Sequence, residues 1–125
     1  MANETRRENP FEVMVQPDQN VLFTVSFEND QIGNSIVLFK EKPHLLGEGA
    51  INLLDLGPSD FLIGKSLLVA TNVIAANPDS RDIIVHHKFN GTLPETFTYT
   101  GKVAGEGDFF TLITQYNFSS GQKKD

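Results

Sequence analysis

The sequence predicts an all-β fold: an antiparallel two-sheet β-sandwich of about eight strands. Three observations carry that expectation. Apolar and polar residues alternate with period two along most of the chain. Gly, Pro, Asn and Asp interrupt the alternation at short intervals, and no strand–helix alternation occurs anywhere. Turn signals every eight to twelve residues or so suit a sandwich, with jelly-roll and immunoglobulin-like topologies equally compatible.

The elements follow in order. Residues 1–10 are polar and charged and read as a flexible N-terminal arm. Phe11–Gln16 alternates and stops at Pro17-Asp18. Over Asn20–Glu28, Val21, Phe23, Val25 and Phe27 share one face, a set that a strand turns inward and a helix would scatter around its circumference. Residues 29–34 (Asn-Asp-Gln-Ile-Gly-Asn) read as a hairpin loop, and Ser35–Glu41 as a largely apolar strand. Pro43, Gly47, Gly49, Gly57 and Pro58 argue against a long helix in residues 42–63. There, Ala50–Leu56 suits a short strand. Ser59–Ile63 suits either another strand or a helical turn capped by Ser59.

Gly64–Ala76 places Leu67, Val69, Thr71 and Val73 on one face and ends at the turn Asn77-Pro78-Asp79-Ser80. Asp82–Phe89 is β-branched and ends at Asn90-Gly91. Glu95–Val103 reads as a solvent-facing or edge strand. Phe109–Phe118 aligns Phe110, Leu112, Thr114, Tyr116 and Phe118 on one face. One domain is therefore expected over residues 11–118, followed by a polar tail at 119–125.

With 125 residues and no cysteine, the chain is long enough to bury a core without disulfides, and thiol catalysis, Fe–S ligation and Cys-based zinc sites are excluded. The net charge of −6 and scattered Lys and Arg argue against nucleic-acid and anionic-lipid partners. The only basic clusters are Arg6-Arg7 and Lys123-Lys124. No secretory leader and no stretch long enough to span a membrane are evident, so the expected location is cytoplasmic, with leaderless export compatible.

His86-His87, with His44 as a third ligand, is the first metal candidate. Successive strand side chains point to opposite faces, so the adjacent pair cannot share an ion, and the His-x-His spacing of a strand metal site is absent. His87 shares a face with Ile83, Val85 and Phe89 and is expected to be half-buried and hydrogen-bonded. Asp55, Asp60, Glu106 and Asp108 are weak calcium-ligand candidates without ordered acidic spacing, and no cofactor is expected. No nucleophile elbow, phosphate loop or paired-carboxylate motif occurs, so no catalytic residue is assigned and the chain is read as a non-enzyme. A small hydrolase or isomerase would need converging acids, or His44 close to His86 or His87.

Outward apolar residues, namely Leu22 on one strand and Leu68 and Ile74 on another, mark a possible interface. The expected function is a protein-interaction or assembly module that self-associates or docks into a larger complex. The alternative is a ligand-binding sandwich, for carbohydrate, lipid or calcium, using loops near 42–63 and 104–108.

Overall fold

A computed structural model of the chain describes residues 3–42 and 44–120. It is 64% strand and 3% helix, in two sheets that do not close into a barrel, which makes it an all-β sandwich. The strands are β1 (Asn3–Arg7), β2 (Phe11–Val15), β3 (Asn20–Phe27), β4 (Ile32–Phe39), β5 (Leu45–Gly49), β6 (Leu54–Pro58), β7 (Ser66–Ile74), β8 (Asp82–Asn90), β9 (Thr92–Leu93), β10 (Thr96–Lys102) and β11 (Phe109–Ser120). A single helical turn, α1 (Ser59–Leu62), precedes β7. The large sheet runs β5-β4-β7-β11-β2-β9 with β1 also paired to β11, and the small sheet runs β10-β8-β3-β6.

Period-two alternation puts the apolar set between the sheets. Val21 and Phe23 of β3, Leu67, Val69 and Val73 of β7, and Phe110, Leu112, Tyr116 and Phe118 of β11 are all buried in one cluster. Burial of that apolar surface is the main favourable contribution to folding. Ring contacts knit the cluster within and across the sheets: Phe89 of β8 meets Tyr116 of β11 in the opposite sheet edge-on at 5.0 Å and Phe23 of neighbouring β3 at 4.8 Å.

The structure corrects the sequence reading at several points. Asn3–Arg7 is a strand, where an arm was expected over residues 1–10. Its polar sequence carries no apolar alternation; what orders it is the β11 backbone, which it meets in parallel register, Asn3 beside Phe109 and Arg7 beside Ile113. After an interruption around Pro10, which has no N–H to give the ladder, β2 resumes in parallel with β11, Phe11 beside Tyr116. The remaining pairings are antiparallel. Ser119 and Ser120, expected in the tail, belong to β11. The basic pair Lys123-Lys124 lies outside the described residues, as does Pro43.

Residues 29–34 are not a hairpin. β3 lies in the small sheet and β4 in the large one, so the turn crosses between layers. Asn29 and Asp30, both left-handed at φ 60° and 56°, reverse the chain. The next residue, Gln31, is buried and ties the turn to the Asn77–Asp82 crossing at the same end. Its Nε2 donates to the carbonyls of Ser80 and Asp82 (both 3.2 Å), and its Oε1 accepts the Asn77 N–H (3.0 Å).

The expected strand over Ala50–Leu56 is broken by a turn in which Leu53 has φ 53°, and separate strands form on either side. The helical turn at Ser59 is present. Ser59 is its first residue and is buried, Pro58 occupies the capping position, and no side chain caps the turn.

Candidate functional site

Most of the sequence-predicted site residues are scattered. His86 and His87 point to opposite faces of β8, as strand geometry requires. His86, on the outer face of the small sheet, bonds Thr98 Oγ1 through Nδ1 (2.9 Å) and makes an ion-pair contact with Glu28 through Nε2. His87 is fully buried, deeper than the half-burial expected. His44 is exposed ahead of β5 at the edge of the large sheet. Asp55 accepts from Asn20 Nδ2 (3.0 Å) and from the Gly57 N–H (2.9 Å), Asp60 is exposed on α1, and Glu106 is exposed in the 104–108 turn. Asp108 is buried and accepts the Gly105 N–H (2.8 Å). Among the described residues no three His, Asp or Glu side chains are placed to hold a metal ion.

The outward apolar residues divide between the two layers. Leu22 is half-buried on the outside of the small sheet, while half-buried Leu68 and exposed Ile74 lie on the large one, so the three form no single patch. The outer faces differ in chemistry. That of the small sheet carries Thr98, His86, Ser26, Thr24 and Lys88, with a Lys102–Asp82 pair at 3.7 Å.

On the large sheet, register aligns Ile32, Ile74 and Phe109 in one row across β4, β7 and β11. The next row is Asn34, Asn72, Thr111 and Thr5, and the one after is Ile36, Ala70 and Ile113, with Arg7 and Glu48 at its two ends. Leu45 and Leu38 continue the apolar surface, followed by Leu68. Ile32 is 62% exposed, Ile36 41%, Leu45 49% and Ile74 37%. A shallow depression of about 420 Å³ lies between the first two rows. Sequence reading identified Leu68 and Ile74 but missed Ile32, Ile36 and Leu45. Ile32 falls within the turn expected over residues 29–34, and the other two acquire a face only once the register is known.

A second feature lies inside. A hydrogen-bonded chain of side chains crosses the core from one sheet to the other. Ser35 Oγ of β4 meets Thr71 Oγ1 of β7 (2.9 Å), and Thr71 Oγ1 meets His87 Nε2 of β8 (3.2 Å). His87 Nδ1 meets the Tyr116 hydroxyl of β11 (2.6 Å), which meets the Tyr99 hydroxyl of β10 (2.7 Å). All five residues are buried.

Burial without a counter-charge drives the His87 pKa down to about 3, so the ring is neutral. Burial pushes the Tyr99 phenol up to about 12 and raises that of Tyr116 further. The chain is thus wholly uncharged near neutral pH. A neutral imidazole donates from one nitrogen and accepts at the other, so the chain can be polarised in either direction.

Ser35 also lines an open cleft of about 500 Å³ between the sheets, together with Val25, Phe27, Ile51 and the backbone of Gly33 and Gly49. Among the described residues, no ionisable side chain lines it.

Comparison with known protein families, with curated proteins and with solved structures finds no match to this chain. No helix among the described residues is long and apolar enough to cross a membrane.

Proposed function

We propose that this protein is a non-catalytic assembly module that self-associates through the outer face of its large sheet. The observation that supports this reading is the row of exposed Ile32 and Ile74 with half-buried Phe109, continued past an uncharged Asn/Thr row by exposed Ile36 and half-buried Ala70 and Ile113. An antiparallel sheet with one solvated face alternates apolar-in and polar-out, as the small sheet does here apart from half-buried Leu22 and Ile84. Apolar character on both faces belongs to a sheet covered on both sides. A second copy fits the charge. Each chain carries −6, so two copies approach at least cost where charge is absent, and between Arg7 and Glu48 these rows carry none. A two-fold contact places the same rows on each other, which an uncharged strip of isoleucine and amide side chains tolerates in either orientation.

Sedimentation equilibrium tests the proposal. The expected outcome is a concentration-dependent dimer that Ile36→Asp with Ile74→Asp converts to a monomer, with an unchanged circular dichroism spectrum. A wild-type protein that stays monomeric at its highest soluble concentration overturns the reading, as does a dimer that survives both substitutions.

A further inference from the structure

We infer that the inter-sheet cleft is a binding site for a small, neutral, mainly apolar molecule carrying one carbonyl oxygen, and that Ser35 receives that oxygen.

The cleft exists because β4 turns small residues inward at one end. Its inward positions run Gly33, Ser35, Val37 and Phe39, so side-chain bulk fills the far half of the strand and not the near half. Gly33 is fixed by close approach: a Cβ there would lie 2.5 Å from the tip of the Phe27 ring and 2.7 Å from the Asn72 carbonyl oxygen. The tip of the Phe27 ring therefore abuts bare backbone at Gly33, and Phe27 forms an apolar wall with Val25 and Ile51. Gly49 and Ala50 close the side formed by the turn after β5 and add almost no volume.

The lining chemistry selects the ligand. With no ionisable group in the lining, a charged molecule would leave water without compensation, whereas an apolar body gains from contact with Val25, Phe27 and Ile51. Among the polar groups of the lining, Ser26 and Asn52 are exposed to solvent, Gln31 is committed to the Asn77–Asp82 crossing, and Thr24 accepts the Leu53 N–H. Ser35, at 1% exposure, is the most buried residue of the lining, and its hydroxyl bonds Thr71 alone among the described side chains. A hydroxyl has one proton and two lone pairs, so Ser35 retains capacity for a second partner on the cleft side.

The chain behind Ser35 turns this contact into a long-range one. A carbonyl only accepts, so Ser35 must donate to it. Thr71 must then donate to Ser35, and His87 must donate to Thr71 from Nε2. His87 Nδ1 must accept from the Tyr116 hydroxyl, which in turn accepts from Tyr99. Occupancy at one side of the sandwich thus requires the Nε2–H tautomer of His87 and sets the direction of the Tyr99 hydroxyl on the opposite side of the core.

Titration of the ¹⁵N-labelled protein with 2-hexanone tests both parts. Saturable shifts at Val25, Phe27 and Ile51 are expected, together with imidazole ¹⁵N shifts showing His87 as the Nε2–H tautomer in the bound state. Ser35→Ala is expected to weaken binding about tenfold, the loss of one hydrogen bond. Ala50→Trp fills the mouth of the cleft without touching the hydroxyl chain; it is expected to abolish binding in a protein whose melting temperature is retained. Absence of saturable shifts up to the solubility limit of the ketone overturns the site. Binding unaffected by Ala50→Trp does the same. A bound state with the Nδ1–H tautomer, or an affinity indifferent to Ser35→Ala in a variant that retains its fold, overturns the role of Ser35.

Discussion

Replacing Tyr116 by Phe removes a single oxygen from the middle of the core chain, and the consequence can be worked from its two neighbours. The Tyr116 hydroxyl is the partner of His87 Nδ1 at 2.6 Å and of the Tyr99 hydroxyl at 2.7 Å, and neither atom bonds another of the described side chains. Both would be left buried and unpaired, at about 1–3 kcal/mol each, partly offset because the phenol no longer has to be desolvated. The expected net loss is about 2–4 kcal/mol. Tyr99→Phe instead removes the end of the chain and leaves Tyr116 bonded to His87, so it should cost only about 1 kcal/mol, the ordinary value of one hydrogen bond.

Urea unfolding followed by circular dichroism suits a chain without tryptophan. For a slope of about 2 kcal/mol per molar, Tyr116→Phe should lower the midpoint by about 1–2 M with the slope unchanged. In the double variant the further cost of Tyr99→Phe should vanish, since its hydroxyl is already an orphan. Equal costs for the two single variants, or strict additivity in the double, would refute the reasoning.

Two further outcomes follow. The His87 pKa is about 3 in the folded protein and 6.5 when unfolded, so below pH 6.5 the unfolded chain takes up a proton that the native one does not. Stability should therefore fall with decreasing pH by up to about 1.4 kcal/mol per unit until the pH nears 3, and His87→Gln should flatten that slope between pH 6.5 and 4.5. Urea midpoints measured across the range provide the check. Gln31→Ala strands the Asn77 N–H and the carbonyls of Ser80 and Asp82 where the two crossings meet. A loss of about 2–4 kcal/mol is expected, with faster amide exchange at Asn77; a loss below about 0.5 kcal/mol would show that water replaces the side chain there.

The parts of this fold legible in the sequence are those where alternation is strong. β3, β7 and β11 put on their inward faces the residues that period two assigns to them. Topology was not legible, because the same turn chemistry serves a hairpin and a crossing. Asn29-Asp30 reverses the chain in either case, and the decision rests with Gln31, whose partners lie some fifty residues away. β1 escaped notice because Asn3–Arg7 has no apolar pattern and is ordered by the backbone of its neighbour.

The core chain left a trace in the sequence. Ser35, Thr71, His87, Tyr99 and Tyr116 are polar groups on largely apolar inward faces of five strands, and such buried groups call for mutual satisfaction. The inter-sheet cleft left a fainter one, the succession of small inward residues at the start of β4. The 42–63 segment, expected to hold a ligand loop, contributes Gly49–Asn52 to its lining, while 104–108 contributes nothing.

Because β1 and β2 run alongside β11 in the same direction, tension applied before Asn3 and after Ser120 drags these strands past one another along their length. Every rung of the ladder then bears load together, where peeling would break rungs singly. Asn3, beside Phe109, and Ser120 lie at opposite ends of β11, about 35 Å apart at 3.3 Å per residue. A pull between Asn3 and Ser120 would thus load the most extensively paired strand in shear.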